Sequence, residues 1–233
     1  MNRLRVTLQD LRQGKIIVVD KPLDWTSFDV VNKIRSVLRK RFDLKKIKVG
    51  HAGTLDPKAT GVLVIGIGPA TKLLGKFQAD DKVYEGLMRL GATTPSYDTE
   101  TDIDKEFPLD GITEEMIRRA AQSFIGDIEQ LPPPYSAVKQ KGKKLYELAR
   151  EGKEVELKPR RVKIYDFEIK NIQLPDIQFA LHAGKGTYVR SLVHDFGKKL
   201  NNGAYLIALR RIRSGNFTLD QAVDLFEWVA QNQ

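Results

Sequence analysis

The stretch from Gly50 to Gly66 constrains the fold of this 233-residue chain more than any other part of its sequence. It places one acid, Asp56, between turns rich in glycine and directly before an apolar run at residues 62–65. Pro57 has a fixed φ and favours an extended conformation at Asp56. Because the apolar run is typical of a buried strand, the stretch predicts a loop that presents one carboxylate and is anchored in the core. The simpler alternative is a turn or capping aspartate.

Strand and helix patterns follow one another irregularly along the chain. Strands are predicted at residues 16–19, 62–67, 84–90, 162–172, 177–182 and 205–212. Helices are predicted at residues 26–38, 70–77, 113–124, 145–150 and 188–200, and after a capping box formed by Thr218 and Gln221. This order lacks a regular βαβ rhythm, so it predicts an α+β fold with a mixed, largely antiparallel sheet flanked by helices. The length suits a single domain over residues 1–233.

Two of the predicted helices carry clear boundary and face signals. Thr26 and Thr113 are typical N-caps. Helical spacing places Phe28 on the apolar face of the first helix and Met116 on that of the second. Residues 131–134 include three prolines and are therefore predicted to be extended, as a structural connection rather than a PxxP ligand.

Charge and residue counts limit the function classes. The chain has 39 Lys and Arg against 30 Asp and Glu, a net charge of +9 that favours a polyanionic partner such as nucleic acid. It has no cysteine, which excludes disulfides, thiolate nucleophiles and Cys-ligated zinc. We see no signal peptide and no apolar run near the roughly 20 residues that span a bilayer, and we predict a cytoplasmic protein. Neither GxxxxGK(S/T) nor GxGxxG occurs, so ATP and NAD sites are not expected.

Several segments share one further pattern. They are residues 20–27, 50–66, 82–86, 131–139, 142–152, 185–192 and 209–213. Together they resemble the tRNA pseudouridine-55 synthase family, whose members modify a uridine in the T arm of tRNA. The resemblance implies the pseudouridine synthase fold and isomerisation of uridine to pseudouridine in the T loop. It implies no cofactor and no metal, and it implies the tRNA T-arm stem-loop as partner, without a membrane, DNA or a required protein partner, for a monomeric enzyme.

The resemblance assigns the catalytic roles to three residues. Asp56 is the implied nucleophile, which attacks the ribose, adds to the uracil ring or assists a glycal elimination. Arg190 is implied to pair with this acid. A guanidinium near a carboxylate favours its ionised form, and a cation near the start of a helix needs a partner because the macrodipole disfavours it. Tyr84 is implied to stack on the extruded uracil. The alternatives are a solvated surface arginine at Arg190 and a core tyrosine at Tyr84.

Five further residues are implied to bind substrate or to order the site. His51 contacts RNA near the flipped base, although general acid–base work is an alternative. The three histidines show no metal-ligand spacing. Lys21 is implied to lie near the active site, where its two roles, contact with substrate and support of a strand-to-helix turn, are compatible. Tyr188 positions RNA, Leu209 lines the base pocket, and Asp98 orders neighbouring loops.

The sequence departs from the family pattern in two places. Only 20 residues follow Arg213, so no C-terminal RNA-binding domain of the PUA type is expected. This favours the stand-alone bacterial type over the guide-RNA-dependent enzymes. The acidic segment at residues 98–106 must also be kept away from RNA phosphates. Two rival functions are a non-catalytic tRNA-binding or folding chaperone and an enzyme that acts on a ribosomal RNA loop.

Overall fold

The computed structural model describes residues 5–135, 139–140, 143–144 and 158–233. The helices are α1 (Leu8–Gln13), α2 (Ser27–Arg41), α3 (Leu74–Gln78), α4 (Glu114–Gln122), α5 (Val189–Lys199) and α6 (Leu225–Asn232). The strands are β1 (Lys15–Lys21), β2 (Val49–Ala52), β3 (Ala59–Ile67), β4 (Lys82–Leu90), β5 (Ala92–Thr93), β6 (Lys105–Glu106), β7 (Gly126–Gln130), β8 (Lys139–Gln140), β9 (Lys143–Lys144), β10 (Arg160–Gln173), β11 (Asp176–Ala183), β12 (Ala204–Ser214), β13 (Phe217–Thr218) and β14 (Val223–Asp224). Short 3-10 helices occupy Gly68–Leu73 and Leu219–Gln221.

The chain forms two compact units. The first comprises Met1–Tyr84 and Arg210–Gln233, and the second comprises Glu85–Leu209. The chain passes into the second unit within β4 and returns within β12. The predicted helix at residues 145–150 lies outside the described residues. A single domain over the whole chain stays a prediction. No helix in the described ranges is both long and apolar enough to cross a bilayer.

In the first unit, β3 is the central strand. It pairs antiparallel with β1 and with β2, while β14 pairs parallel with β1. Its residues alternate between two apolar clusters: Leu63 and Ile65 pack with Ile34 and Trp228 from the helices, and Val64 packs with Leu74. Burial on both faces explains why this strand is a continuous apolar run.

Helix α2 begins where its capping residue predicts, but one apolar residue lies off its buried face. The Thr26 side chain accepts from the Asp29 backbone N–H, and the Asp29 side chain accepts from the Thr26 N–H. The prediction for Phe28 was wrong, since its side chain is 62% exposed. The buried face instead passes through Ser27 and Val30. Each residue turns a helix by about 100°, so Phe28 lies beside that face.

The C-terminal capping box forms, but it does not cap the last helix. The Thr218 N–H donates to Gln221 Oε1 at 3.1 Å and opens only a 3-10 turn. Val223 then pairs with Val19 of β1, which keeps the backbone extended. Helix α6 therefore starts later. There, Asp224 Oδ1 accepts from the Phe226 N–H at 2.8 Å and from the Glu227 N–H at 2.9 Å. This corrects the predicted start.

The second unit is built on the predicted hairpin of β10 and β11. These strands pair antiparallel, and β7 pairs antiparallel with the other edge of β10. The Phe167 ring lies 5.5 Å from the Phe179 ring and 5.8 Å from the Phe196 ring, centroid to centroid. Helix α4 begins after Thr113 as predicted. The prediction for Met116 was wrong: it is 42% exposed, and the buried face consists of Ile117, Ala120 and Ala121. The α+β class with a mixed, largely antiparallel sheet is confirmed.

A glycine beside Tyr84 is explained by packing in the second unit. The Phe179 ring occupies the space that a Cβ atom on Gly86 would need. Any side chain at position 86 would therefore displace the aromatic core. Gly86 lies within β4, where the absence of a side chain leaves room for the Phe179 ring.

Candidate active site

The loop that carries Asp56 is fixed through the backbone on both sides of the acid. Ser27 Oγ accepts from the Leu55 N–H at 2.8 Å and donates to the Leu55 carbonyl at 3.0 Å. On the other side, the Asp24 N–H donates to the Pro57 carbonyl at 2.9 Å. Both Ser27 and Leu55 are buried, so these bonds are shielded from water. Asp56 itself is half-buried and is held by its neighbours in a fixed place.

Arg211 anchors the start of the same loop. Its side chain is 1% exposed. The guanidinium donates to the Gly53 carbonyl at 3.0 Å and to the Val62 carbonyl at 2.7 Å. Gly53 has a φ of +85°, which favours glycine at this turn. One buried cation thus joins the loop to the strand that follows it.

Lys21 is buried beneath the loop rather than presented at a surface. Its side chain is 0% exposed, and Nζ donates to the carbonyls of Trp25 at 2.5 Å, Pro22 at 2.8 Å and Pro57 at 3.4 Å. Burial lowers the pKa of Lys21 to about 8, while the Asp56 carboxylate favours the charged form. These contacts match the turn-supporting alternative, and direct contact with substrate stays a prediction.

His51 and Tyr84 lie on strands of the first unit. His51 is half-buried on β2, and burial together with the Arg211 guanidinium lowers its pKa. Its imidazole is therefore neutral near pH 7, which suits a contact with a neutral base better than one with a phosphate. Tyr84 is 8% exposed on β4, so most of its ring is enclosed by protein. This burial matches the core-tyrosine alternative, and stacking on the uracil stays a prediction.

Arg190 is a buried cation in the first turn of α5. The guanidinium donates to the Ser96 carbonyl at 3.0 Å and to the Tyr135 carbonyl at 2.9 Å, and Nη1 lies 3.4 Å from Asp98 Oδ2. Both charged side chains are 5% exposed. The negative oxygens offset the unfavourable macrodipole at this helix end. The predicted need for partners is met within the second unit, and the surface alternative is wrong.

Asp98 is turned inward by its own loop. Its carbonyl accepts from Thr94 Oγ1 at 2.7 Å and from Ser96 Oγ at 3.2 Å, and its Oδ1 accepts from the Glu100 N–H at 2.9 Å. The acid that begins the acidic segment is therefore neutralised by Arg190 instead of facing solvent. The role of Asp98 in ordering neighbouring loops stays a prediction.

Two other predicted residues lie near the ends of second-unit elements. Tyr188 precedes α5, and Gln130 holds its backbone: the Tyr188 N–H donates to Oε1 at 2.8 Å, and Nε2 donates to the Tyr188 carbonyl at 3.0 Å. Leu209 is half-buried on β12. The RNA contacts of both stay predictions.

The eight predicted residues divide between the two units. Those of the first unit are Asp56, His51, Lys21 and Tyr84, and those of the second are Asp98, Arg190, Tyr188 and Leu209. The structure brings Lys21 to the Asp56 loop and Asp98 to Arg190. The pairing of Asp56 with Arg190 stays a prediction. In the described part of the chain, no group of three or more His, Asp or Glu side chains is arranged to hold a metal ion.

Comparison with known proteins decides the family. The model of the TruB family pseudouridylate synthase N-terminal domain matches residues 39–189. The chain belongs to the TruB family. The model of the tRNA pseudouridylate synthase B C-terminal domain matches residues 190–231. Two TruB-family relatives, both called tRNA pseudouridine synthase B, are similar over nearly their whole length. The one from Flavobacterium johnsoniae is 46% identical over 94% of this chain and 96% of its own, and the one from Phocaeicola vulgatus is 48% identical over 96% and 97%.

Solved structures of related proteins share the fold. A chain of the Cbf5-Nop10-Gar1 complex superposes with a TM-score of 0.70 at 32% identity, over 95% of this chain. A chain of the archaeal box H/ACA sRNP Nop10-Cbf5 complex gives 0.67 at 29% identity, over 96%. In both cases this TruB-family chain spans 55% of the length of the solved chain.

The sequence analysis did not identify two residues that hold the Asp56 loop of this TruB-family chain, which we call the signature loop. Ser27 lies in line with Val30, Val31 and Ile34 on the buried face of α2. A polar residue on an apolar stripe indicates a buried hydrogen bond, so the sequence contained a sign of its role. Arg211 had no such signal, because it lies between Arg210 and Ile212 in a strand where charged and apolar residues are mixed.

Replacing Ser27 with alanine is expected to lower the free energy of unfolding by about 1–3 kcal/mol. The substitution removes both hydrogen bonds to Leu55 and leaves its buried N–H and carbonyl unsatisfied. Denaturant unfolding measures the loss. Ser36→Ala, at an exposed position of the same helix, is the matched control and should change the free energy by less than about 0.5 kcal/mol. The two hydrogen bonds between Ser27 and Leu55 form a clamp on the loop. Equal losses in the two variants would contradict its role in stability.

Proposed function

We propose that this chain converts uridine to pseudouridine at position 55 in the T loop of tRNA. One observation carries the proposal: relatives called tRNA pseudouridine synthase B are 43–48% identical to it over nearly its whole length. The clamped loop around Asp56 supports it, because a nucleophile must be held within a narrow range of positions. tRNA is thus the proposed partner, and the cytoplasm is the proposed place of action.

The reaction moves the uracil from nitrogen to carbon linkage. The N1–C1′ bond breaks, the uracil turns and a C5–C1′ bond forms. The hydrogen on C5 leaves as a proton and N1 takes up a proton, so the product is an isomer of the substrate. We assign Asp56 the part of the carboxylate that starts this sequence. Three routes fit a carboxylate in that role: attack on C1′, addition to the uracil ring, and removal of a ribose proton on the way to a glycal.

Reaching the glycosidic bond requires the uridine to leave its stack. We assign Tyr84 the stacking contact with the extruded uracil, which recovers roughly 1–3 kcal/mol of the cost of flipping. The neutral imidazole of His51, on the strand before the Asp56 loop, suits a contact with the RNA beside that base. We assign Arg190 the part of the cation that pairs with Asp56, as the family resemblance implies. Its guanidinium is held by two loop carbonyls and by Asp98.

A basic surface on the first unit supports RNA binding. Residues 33–48 contain eight Lys or Arg and one Asp. Arg35, Arg39 and Lys40 line a groove of about 450 Å³ along the C-terminal half of α2. In the described part of the chain, none of these three lies within 4.0 Å of a carboxylate oxygen. Arg35 and Arg39 donate to neutral protein oxygens, so the three cations keep a charge that attracts phosphates, which position nucleic acids without reading sequence.

The double variant Arg39→Gln/Lys40→Gln is expected to raise KM for tRNA about three- to tenfold with kcat unchanged, and to reduce the slope of log affinity against log salt by about 2. Both side chains are exposed and twelve or more residues from the Ser27 clamp, roughly 18 Å along the helix. Filter binding at several salt concentrations measures the slope. Arg118→Gln/Lys170→Gln, at exposed positions that pair with glutamates, is the control that should change neither value. An unchanged slope in the groove variant would show that this surface does not meet RNA.

The function itself is tested by tritium release from RNA labelled at C5 of uridine. The substrates are a full tRNA transcript, a T-arm hairpin and a ribosomal RNA hairpin. We expect release from the first two only. Release from the ribosomal hairpin alone would replace the proposed target, and binding to tRNA without release would support a chaperone.

A further inference from the structure

Two aromatic rings in the second unit stack beside the Arg190–Asp98 pair. The ring centroids of Tyr97 and His194 are 3.7 Å apart with an interplanar angle of 11°. Tyr97 precedes Asp98 on its loop, and His194 lies four residues after Arg190 on α5. Residues four apart share one face of a helix. The helix therefore contacts the loop at two neighbouring points, once through a guanidinium and once through an imidazole.

The loop conformation at Tyr97 is one that side chains rarely adopt. Tyr97 has a φ of +64°, in the left-handed region that costs free energy for residues other than glycine. Its carbonyl accepts from the Leu206 N–H at 3.0 Å, and its N–H donates to the Thr94 carbonyl at 3.1 Å. A strained residue persists only where its surroundings hold it. The stack on His194 is the contact that the Tyr97 ring itself makes, beside these two backbone hydrogen bonds.

We propose that Tyr97 and His194 are positioning residues that hold Asp98 in place against Arg190. The inference rests on the proposed function for its catalytic consequence. Without the stack, Tyr97 can relax toward negative φ, and this rotates the peptide that leads to Asp98. The Oδ2–Nη1 distance of 3.4 Å is already long for a charge-assisted contact, so such a rotation would weaken the pairing. Burial lowers the pKa of His194 to about 4, which keeps the stacked ring neutral at physiological pH.

The test compares His194→Ala with His194→Phe in the tritium-release assay. We expect the alanine variant to lower kcat about five- to tenfold with KM for tRNA within about twofold, since an aromatic pair contributes on this scale. Phenylalanine keeps a planar ring and should restore kcat to within about twofold. Tyr97→Phe should behave like the wild type, and Tyr97→Ala like His194→Ala.

A matched control is available in the same unit. His182 lies against Tyr165 with ring centroids 4.6 Å apart, on the β10–β11 hairpin. His182→Ala removes a similar ring pair and should leave kcat unchanged. Equal losses in His194→Ala and His194→Phe, or a loss in KM instead of kcat, would overturn the positioning role. So would an equal loss in the His182 control.

A second measurement does not depend on activity. Asp98→Asn is made in the wild-type background and in the His194→Ala background, and the denaturation midpoints are compared. If the stack holds the pair, Asp98→Asn lowers the midpoint more in the wild-type background. Equal shifts in the two backgrounds would refute the inference even if pseudouridine formation is confirmed. A difference together with an inactive wild type would refute the proposed function alone.

Discussion

Asp56→Asn is expected to abolish pseudouridine formation while tRNA binding stays within about threefold of the wild type. An amide has nearly the same shape as a carboxylate but lacks its charge and nucleophilicity, so the loss in kcat should be at least about 1,000-fold. The clamp on Leu55 and Pro57 uses backbone atoms and does not depend on the substituted side chain. Tritium release measures the chemistry, and filter binding measures the affinity.

Asp110→Asn is the control for the change in charge. Asp110 is exposed in a turn before α4, and its substitution should leave both activity and affinity unchanged. Retained release by Asp56→Asn would remove Asp56 from the mechanism. Loss of binding together with release would mean that Asp56 holds RNA instead of reacting with it.

Arg190→Met is expected to lower the free energy of unfolding by about 3–5 kcal/mol, because it leaves the buried Asp98 carboxylate without this guanidinium. The Ser96 and Tyr135 carbonyls lose their donors in the same step. Pseudouridine formation should fall at least about 100-fold, since a misplaced site loses orientation as well as charge. Denaturant unfolding measures the stability, and tritium release at a temperature where the variant stays folded measures the activity.

Arg118→Met removes an arginine from an exposed ion pair in the same unit. The Arg118–Glu114 pair is spaced four residues apart on α4, and about half of each side chain or more is exposed. Such pairs contribute less than about 1 kcal/mol. A loss for Arg190→Met as small as this control's would contradict the importance of burial at the Arg190 site.

The parts of the fold that local chemistry decides were predictable from the sequence. The Thr26 cap, the β3 strand and the β10–β11 hairpin each depend on residues a few positions apart. The predicted start of the last helix was wrong because a long-range strand pairing with β1 extends Val223. No local pattern contains that information.

In the candidate site, too, local features were predictable from the sequence and long-range contacts were not. The resemblance named Asp56, Arg190 and Asp98 as candidates, and the burial of Arg190 follows from its need for partners. The contacts of Arg211 could not be predicted, because its partners Gly53 and Val62 lie 158 and 149 residues away. The stack of Tyr97 on His194 likewise joins residues from distant elements and has no sequence periodicity.

The clamp on the signature loop has a consequence for how this site tolerates mutation over evolutionary time. Ser27 and Arg211 hold the loop by its carbonyls and N–H groups, which every non-proline residue supplies. Exposed residues of the loop, such as Thr54, can therefore be substituted without moving Asp56. Substitutions at Ser27 or Arg211 remove bonds to that backbone, so they are expected to displace Asp56 although neither residue is the proposed nucleophile.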